Sequence, residues 1–399
     1  MNKEKVALGM FSILLASYVV NAMDRQLFSV LAPDVRNALG LSLPQVGLAA
    51  TVFTLGMGLA GIPTGFLLGV LSRRAVVILG LVIFSAATYL TAYAQGMPDL
   101  LLYRFVSGLG EAMQLTALLA IGTTYFANHR ALAASSLNFC FGIGAVIGPN
   151  LGAAILSATR WQVPFLAFGL LGAVALLLIL FFVKPWFCEA TAQETAVVRE
   201  RGAADTIWAR TPLVLAAATV FAGLAIYGYL GLYPTYLREA VGFTPREAGL
   251  AVSFYGFAAL FSLVGGWLGD RYDYHKLLFV SFVASAITGG ILFGGLGHSL
   301  PMHILFSFIF GAAMSGMVYA NLSAGVIKSV KREHASYASG LFVASLYIPA
   351  AFAGYLLGLL KESFGWSTAG IVQIAGCALV AATLPLLAEN GRRRVALAQ

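Results

Sequence analysis

The chain has 399 residues, of which 60% are hydrophobic and only 10% are Asp, Glu, Lys or Arg. Soluble globular domains contain about 45–50% apolar and about 25% charged residues, so the composition excludes that class and indicates an integral membrane protein. The formal net charge of +8 comes mostly from Lys and Arg in short loops. No basic face with interleaved aromatic residues is present, so we expect no nucleic-acid partner.

The first apolar run begins after Lys5, extends for about 26 residues and contains Asp24 and Arg25. It is too long and too charged for a cleaved signal peptide, so it is predicted to be the first membrane span. A span needs about 20 apolar residues, and on that basis the chain contains twelve. They cover residues 6–32, 44–70, 75–95, 98–126, 131–157, 163–183, 212–237, 245–269, 276–296, 302–328, 336–360 and 366–388.

The longest polar segment lies at mid-chain and divides the spans into two groups of six. The predicted organisation is an N-terminal six-helix bundle over 1–183, a cytoplasmic linker over 184–211 and a C-terminal six-helix bundle over 212–399 with a short basic cytoplasmic tail. Of the 24 Lys and Arg residues, 17 fall on the side of the amino terminus and five on the other. Cytoplasmic loops carry the excess of such residues. Both termini are therefore predicted to be cytoplasmic, in a bacterial-type inner (plasma) membrane, and we expect a monomer.

The two halves repeat each other. Ser42 with Gln45 begins the second span, and Thr244 with Glu247 begins the eighth, about 202 residues later. Each pair is a capping box, in which a hydroxyl residue is followed three positions on by Gln or Glu. Repeated bundles indicate an all-α membrane protein with two pseudo-symmetric halves, a cavity between them and alternating access by rocking.

Four charges lie inside the first half of the membrane region: Asp24 and Arg25 in span one, Arg104 and Glu111 in span four. They sum to zero, and charges in a bilayer face the protein interior or a cavity. At 1.5 Å per residue, Asp24 and Arg104 lie within ~5 Å of each other in depth, and Glu111 lies about 10 Å deeper. Asp24 and Arg25 point about 100° apart, so only one can face Arg104 squarely.

These charges suggest proton coupling. Glu111 has no cation within one turn on its own helix, so we expect it to carry the proton, while Asp24 pairs with Arg104 or Arg25 as a conformational switch. An arginine released by protonation of its partner could bind a carboxylate by a bidentate fork. The alternative is a purely structural charge network.

In the second half, the predicted spans contain no Asp, Glu, Lys or Arg away from their ends, so neutral groups should complete the cavity. Tyr229 and Tyr233 share a stripe with Tyr236, and we expect substrate contacts from the first two, although an interfacial girdle is the alternative. Other candidates for cavity contacts are Gln114, Asn321, Tyr255, Asn138, Tyr319 and Tyr347. His298 and His303 are expected to be solvated.

The sequence resembles the major facilitator superfamily over nearly its whole length. The superfamily has a cytoplasmic motif, Gly-x-x-x-Asp-Arg-x-x-x-Arg/Lys, after its second span and again after its eighth. In the second half the matching residues are Gly266, Asp270, Arg271 and Lys276. The first copy has Gly69 at the aspartate position and keeps Arg73 and Arg74. In the superfamily that aspartate helps to latch the outward-facing state, so the resemblance implies gating roles for these positions and puts the first latch in doubt.

Span five contains Gly148-Pro149, similar to a motif common in antiporters of the superfamily. Small residues at four-residue spacing also let helices pack closely, and Pro149 favours a bend, so we expect a conformational role or plain packing. Asp24-Arg25 together with Arg104 and Glu111 resembles the anion:cation symporter branch, and Spinster-type lipid transporters share much of the pattern. In the symporter branch, the corresponding arginines engage the substrate anion and the acidic residues couple protons.

The predicted function is therefore proton-coupled symport of a small organic anion, such as a monocarboxylate, sugar acid or aromatic acid. Asp24 and Glu111 would couple protons, with no metal and no cofactor other than the proton. The alternative is an exporter of drugs or lysolipid-like amphiphiles, and a further one is a transporter-like sensor. The three cysteines lack metal-site spacing, and no nucleophile–base pair or phosphate loop indicates an enzyme.

Overall fold

A computed structural model describes residues 3–126, 130–189, 204–331 and 335–397, which are almost entirely helical. The helices of the first half are α1 (Lys3–Leu39), α2 (Leu43–Thr51), α3 (Phe53–Val70), α4 (Arg73–Thr91), α5 (Met97–Tyr125), α6 (Arg130–Ala158), α7 (Gln162–Phe182) and α8 (Pro185–Cys188). Those of the second half are α9 (Arg210–Glu239), α10 (Pro245–Ala259), α11 (Ser262–Arg271), α12 (Tyr274–Phe293), α13 (Leu300–Gly311), α14 (Ala320–Lys328), α15 (Ala335–Ala350), α16 (Ala353–Gly370) and α17 (Gly376–Leu397).

The predicted twelve-span architecture is confirmed. The described residues contain eleven helical stretches long and apolar enough to cross a membrane, and the last, Gly340–Leu387, has 48 residues. Gly365 breaks this stretch with φ of +79°, a conformation that favours glycine. It therefore contains two spans, with the break where the sequence predicted the eleventh to end and the twelfth to begin. Both capping boxes are present, at the starts of α2 and α10.

Five of the described spans are interrupted, which the sequence did not predict. The second span is divided at Val52 between α2 and α3, and the eighth at Leu260 and Phe261 between α10 and α11. In the tenth span, π-helical turns over Ala312–Tyr319 join α13 to α14. The eleventh is divided at Ala351 and Phe352 between α15 and α16, and π-helical turns over Ile371–Ala375 begin the twelfth. Because such interruptions change the direction or the twist of a helix, they alter which side chains face the space between the bundles.

The bundle has two ends, which we call the terminal end and the opposite end. The terminal end carries the start of α1, the end of α17 and the residues near 71–72, 183–189, 204–209, 272–273 and 329–331. The opposite end carries the connections 40–42, 92–96, 159–161, 240–244 and 294–299 and the break at Gly365. At the terminal end, Ala204 bonds to the backbone of Ser329 and Lys331, which attaches the chain before α9 to the end of α14.

The two bundles are sealed against each other at the opposite end. There α2 and α16 cross antiparallel, and the hydroxyl of Thr51 donates to the carbonyl of Ala351 at 2.7 Å. The backbones at Gly47 and Gly354 touch, because a Cβ on Gly354 would lie 2.0 Å from the Gly47 carbonyl oxygen. Only glycine permits an approach this close.

The same helices diverge toward the terminal end. A Cβ at Gly58 of α3 would lie 3.1 Å from Ile348 of α15, and one at Gly61 would lie 3.8 Å from Val343. Further along α3, a Cβ at Gly65 or Gly69 would meet nothing within 4 Å among the described atoms. The space between the bundles therefore widens toward the terminal end.

Candidate functional site

Two buried ion pairs join α1 to α5. Arg104 Nη1 lies 3.4 Å from Asp24 Oδ2, and Arg25 Nε lies 2.8 Å from Glu111 Oε2. All four residues are at most 4% exposed. The rotation of about 100° between successive helical residues separates the pairs, so that Asp24 and Arg25 engage different partners on α5. Of the two partners left open for Asp24, the structure selects Arg104.

The surroundings of Glu111 differ from those predicted. The sequence showed no cation within one turn of it on its own helix, yet Arg25 of α1 donates to its carboxylate. Each pair nevertheless rests on one described contact. Asp24 Oδ1, Arg25 Nη2, Arg104 Nη2 and Glu111 Oε1 are buried and have no hydrogen-bond partner in the described part of the chain. Unpartnered charged atoms in a dry interior are costly, so they are natural positions for a proton or a ligand atom.

The two arginines have different surroundings. Arg104 is enclosed within the first bundle: its Nε donates to the Ala49 carbonyl at 3.4 Å, and its guanidinium carbon lies 5.2 Å and 5.0 Å from the ring centres of Phe28 and Phe53. Arg25 instead faces the second bundle. It lines a narrow cavity between the bundles with Gln26, Ser29 and Thr51 on one side and Tyr227, Leu230 and Gly231 on the other.

Aromatic rings surround Arg25. Its guanidinium carbon lies 5.6 Å from the ring centre of Tyr18 and 5.9 Å from that of Phe141, which is cation–π distance. Across the cavity, the Tyr227 ring contacts Phe53 and Tyr347, with centroid distances of 6.2 Å and 6.0 Å. Tyr227 was not predicted from the sequence, although it shares one helical face with Leu230 and Gly231 at positions i, i+3 and i+4.

Gln114 lies next to the ion pairs but is bound inside the first bundle. Its Oε1 accepts from Asn21 Nδ2 and its Nε2 donates to Ser17 Oγ, each at 2.9 Å. Because this amide already links α5 to α1, the structure gives it a positioning role beside Glu111.

Tyr229 and Tyr233 do not reach Arg25. They lie two and six residues after Tyr227, and two residues rotate a helix by about 200°, so they face the interior of the second bundle. The Tyr229 hydroxyl donates to Ser307 Oγ at 2.8 Å, and the Tyr233 hydroxyl lies 2.7 Å from His303 Nδ1. His303 is fully buried, so the expectation that it is solvated is wrong.

Asn321 also lies away from Arg25. Its side-chain amide donates to the carbonyls of Gly265 and Met317 at 3.0 and 2.9 Å, which ties α14 to the adjoining α11. Gly269 provides the space for this side chain, since a Cβ there would overlap the Asn321 amide oxygen. The structure therefore gives Asn321 a packing role at the terminal end.

The residues of the Gly-Pro motif lie where three helices meet. A Cβ on Gly148 would lie 2.5 Å from the carbonyl oxygen of Met23 on α1. One on Gly249 of α10 would lie 3.0 Å from the carbonyl oxygen of Pro149. The motif thus brings α6 close to α1 of its own bundle and to α10 of the other.

The loop-motif arginines hold the terminal end of the first bundle. The side chain of Arg73 donates to the Cys188 carbonyl and that of Arg74 to the Leu180 carbonyl. Their backbone N–H groups donate to the carboxylate of Glu189 at 3.1 and 3.0 Å, so this glutamate caps α4. Arg271 lies over the ring of Trp267 at 4.7 Å. The side chain of Asp270 lies outside the described residues.

Ion pairs across the opposite end were missed by the sequence analysis. Arg238 of α9 pairs with Asp34 of α1 and donates to the Val30 carbonyl at 2.9 Å, and Arg36 pairs with Glu239 at 2.7 Å. The spacing of these residues is unremarkable in each helix taken alone. Only the packing of α1 against α9 shows that the last turns of the two helices carry complementary charges.

Replacing Asp34 with asparagine is expected to open the opposite end modestly. A partly exposed ion pair stabilises by about 0–1 kcal/mol, so the closed population should fall by up to roughly fivefold. Distances between spin labels at positions 37 and 240, one on each bundle, measure this directly. Asp99→Asn is the control, because Asp99 lies at the same end and accepts from Gln95 within its own bundle. An unchanged distance distribution in Asp34→Asn would show that the pair does not contribute to closure.

A family model matches this chain along nearly its whole length, and individual relatives match more than half of it. The Major Facilitator Superfamily matches residues 14–210 and 215–397. The probable sulfoacetate transporter SauU of Cupriavidus necator is 27% identical over 371 residues, which are 89% of this chain and 83% of that protein. The multidrug resistance protein MdtL of Klebsiella pneumoniae is 28% identical over 222 residues, which are 55% of this chain and 56% of that protein.

A solved structure shows the same fold. The bacterial homologue of the human lysosomal transporter Spinster, crystallised in an inward-facing and unoccupied conformation, superimposes with a TM-score of 0.75. The alignment covers 96% of this chain and 95% of that one, at 18% sequence identity.

Proposed function

Since the chain belongs to the Major Facilitator Superfamily, a family of membrane transporters, we propose that it is a proton-coupled symporter of a small organic anion. The observation that carries the proposal is the pair of buried, single-contact ion pairs between α1 and α5, one of which faces the other bundle. The resemblance to SauU, whose name refers to a small organic anion, supports the same substrate class. Both bundles that line the cavity belong to one chain, so we propose a monomer.

The chemistry follows from the Arg25–Glu111 pair. A proton added to Glu111 removes the negative charge that holds Arg25, and the guanidinium then requires another anion in the same low-dielectric space. A substrate carboxylate can supply it through two parallel N–H···O bonds. Release of either ligand alone leaves an uncompensated buried charge, which disfavours leakage of the proton or of the anion separately. Proton and anion therefore move together.

Orientation completes the proposal. We propose that the terminal end lies on the cytoplasmic side of a bacterial-type inner (plasma) membrane, and the excess of Lys and Arg at that end supports the orientation. In that orientation, the seal made by α2 and α16 at the opposite end supports an inward-facing state of the transport cycle. Rocking of the bundles would then open the contacts between α2 and α16 and between α1 and α9 to admit substrate from outside.

Proteoliposomes test the function. The purified protein is reconstituted with a pH-sensitive dye inside, the membrane potential is clamped, and monocarboxylates, sugar acids and aromatic acids are added outside. The proposal expects at least one anion to acidify the lumen, and expects empty vesicles not to respond. If no anion moves protons while a cationic or amphipathic compound drives protons in the opposite direction, the protein is an exporter. Such compounds are included in the panel because the chain is similar to MdtL, a multidrug resistance protein.

A further inference from the structure

The surroundings of Arg25 restrict the substrate further than its charge does. We infer that the site takes an aromatic monocarboxylate, with its carboxylate on Arg25 and its ring against Tyr227 and the neighbouring aromatic side chains. The inference rests on the proposed function. It concerns the same cavity, and it specifies how many charges the substrate carries and what shape it has.

The number of charges follows from the ion pairs. The four buried charges of α1 and α5 sum to zero, and a proton on Glu111 leaves a net charge of +1. In the described spans of the second bundle, Asp, Glu, Lys and Arg lie only near the two ends of the bundle, as Lys361 and Glu362 do beside the break at Gly365. One carboxylate therefore restores neutrality. A dianion would leave an uncompensated negative charge in a low-dielectric site, and a neutral molecule would leave Arg25 unpaired.

The position of the carboxylate follows from Arg25. Its Nε is occupied by Glu111, while its buried Nη2 has no hydrogen-bond partner in the described part of the chain. The cavity that Arg25 lines extends to Tyr227 on the other bundle. Its volume of about 10 Å³ holds no ring in this conformation, so the bundles must separate there to admit the substrate. A carboxylate on the free edge of the guanidinium thus projects the rest of the molecule toward the second bundle.

The ring preference follows from what the molecule meets there. Tyr18 and Phe141 lie beside the guanidinium, and Tyr227 contacts Phe53 and Tyr347. The centroid separations of 6.2 Å to Phe53 and 6.0 Å to Tyr347 are those of edge-to-face aromatic pairs, an arrangement that a further ring can extend. A sugar acid would instead place several hydroxyl groups against aromatic faces, with few hydrogen-bond partners.

The test compares four ring compounds and one sugar acid in the proteoliposome assay. Benzoate should drive proton uptake with an apparent affinity about two- to tenfold better than cyclohexanecarboxylate, which has the same charge and a saturated ring. Phthalate, a dianion, and benzamide, a neutral amide, should drive none. Gluconate should drive less than benzoate. In Tyr227→Leu the preference for benzoate over cyclohexanecarboxylate should disappear.

The matched control is Tyr236→Leu. Tyr236 is a tyrosine of the same helix, and its ring packs on Phe293 and Trp366. The ratio of benzoate to cyclohexanecarboxylate is measured within each variant, so partial loss of folded protein does not affect it. Equal or stronger responses to cyclohexanecarboxylate, gluconate or phthalate would overturn the inference and leave anion symport standing. A response to none of the anions would overturn both.

Discussion

Replacing Gly354 with alanine is expected to prevent closure of the opposite end and to stop the transport cycle. The added Cβ would lie 2.0 Å from the carbonyl oxygen of Gly47 and 2.6 Å from its carbonyl carbon, and these backbone atoms cannot move without separating α2 from α16. Overpacking of a tight interface costs about 1–3 kcal/mol. The cost falls on the closed form alone, so the open population should rise by roughly five- to 150-fold.

Spin labels at positions 37 and 240 should then report the longer distance as the main population, and net uptake should fall accordingly. Gly47→Ala should give the same result, because its Cβ would lie 2.2 Å from the Gly354 carbonyl oxygen. Gly9→Ala is the matched control, since Gly9 is exposed on α1 and a Cβ there meets nothing within 4 Å among the described atoms. If Gly354→Ala transports at the rate of Gly9→Ala, the crossing of α2 and α16 is not the seal.

Replacing Glu111 with glutamine is expected to abolish net proton-coupled uptake while preserving exchange of anion for anion. The amide resembles the protonated carboxyl group in shape and charge, and it can still accept a hydrogen bond from Arg25. Arg25 therefore keeps its substrate site, but no proton can be taken up or released. Exchange in the variant should not depend on pH, whereas net uptake by the unmodified protein should increase as the outside becomes more acidic.

Two controls separate coupling from folding. Glu247→Gln makes the same change in the capping box of α10, where glutamine also serves, so transport should be unaffected. Glu111→Asp keeps a titratable carboxyl group and should retain net uptake at a reduced rate. If exchange and net uptake are lost together in Glu111→Gln, the residue positions Arg25 and does not carry the proton.

The hydropathy of the sequence was sufficient for the number and order of the spans, because each half-buried or lipid-facing helix needs about 20 apolar residues. It was not sufficient for their interruptions. Val52, Leu260 and the turns over Ala312–Tyr319 carry no proline, and their geometry depends on contacts with neighbouring helices. Gly365 falls in the short gap between the predicted spans eleven and twelve, where a break was expected.

The sequence predicted the positions of the charged residues of the candidate site better than those of its neutral residues. The constant rise per residue gave the depths of Asp24 and Arg104 in the membrane, and this was enough to predict that they lie close together. The partner of Glu111 was missed because only its own helix was considered, and Arg25 approaches from α1. The stripe of Tyr229 and Tyr233 was a real helical face, but periodicity does not say whether a face lies toward a cavity or toward the interior of its own bundle.

The most direct test of the account counts protons and anions in the same vesicles. Proteoliposomes are loaded with a pH-sensitive dye, and uptake of a radiolabelled anion identified in the panel is recorded with the change in lumenal pH. The account predicts one proton for each monocarboxylate in the unmodified protein, and exchange without proton movement in Glu111→Gln. Anion uptake without protons, or an undiminished proton flux in Glu111→Gln, would contradict it.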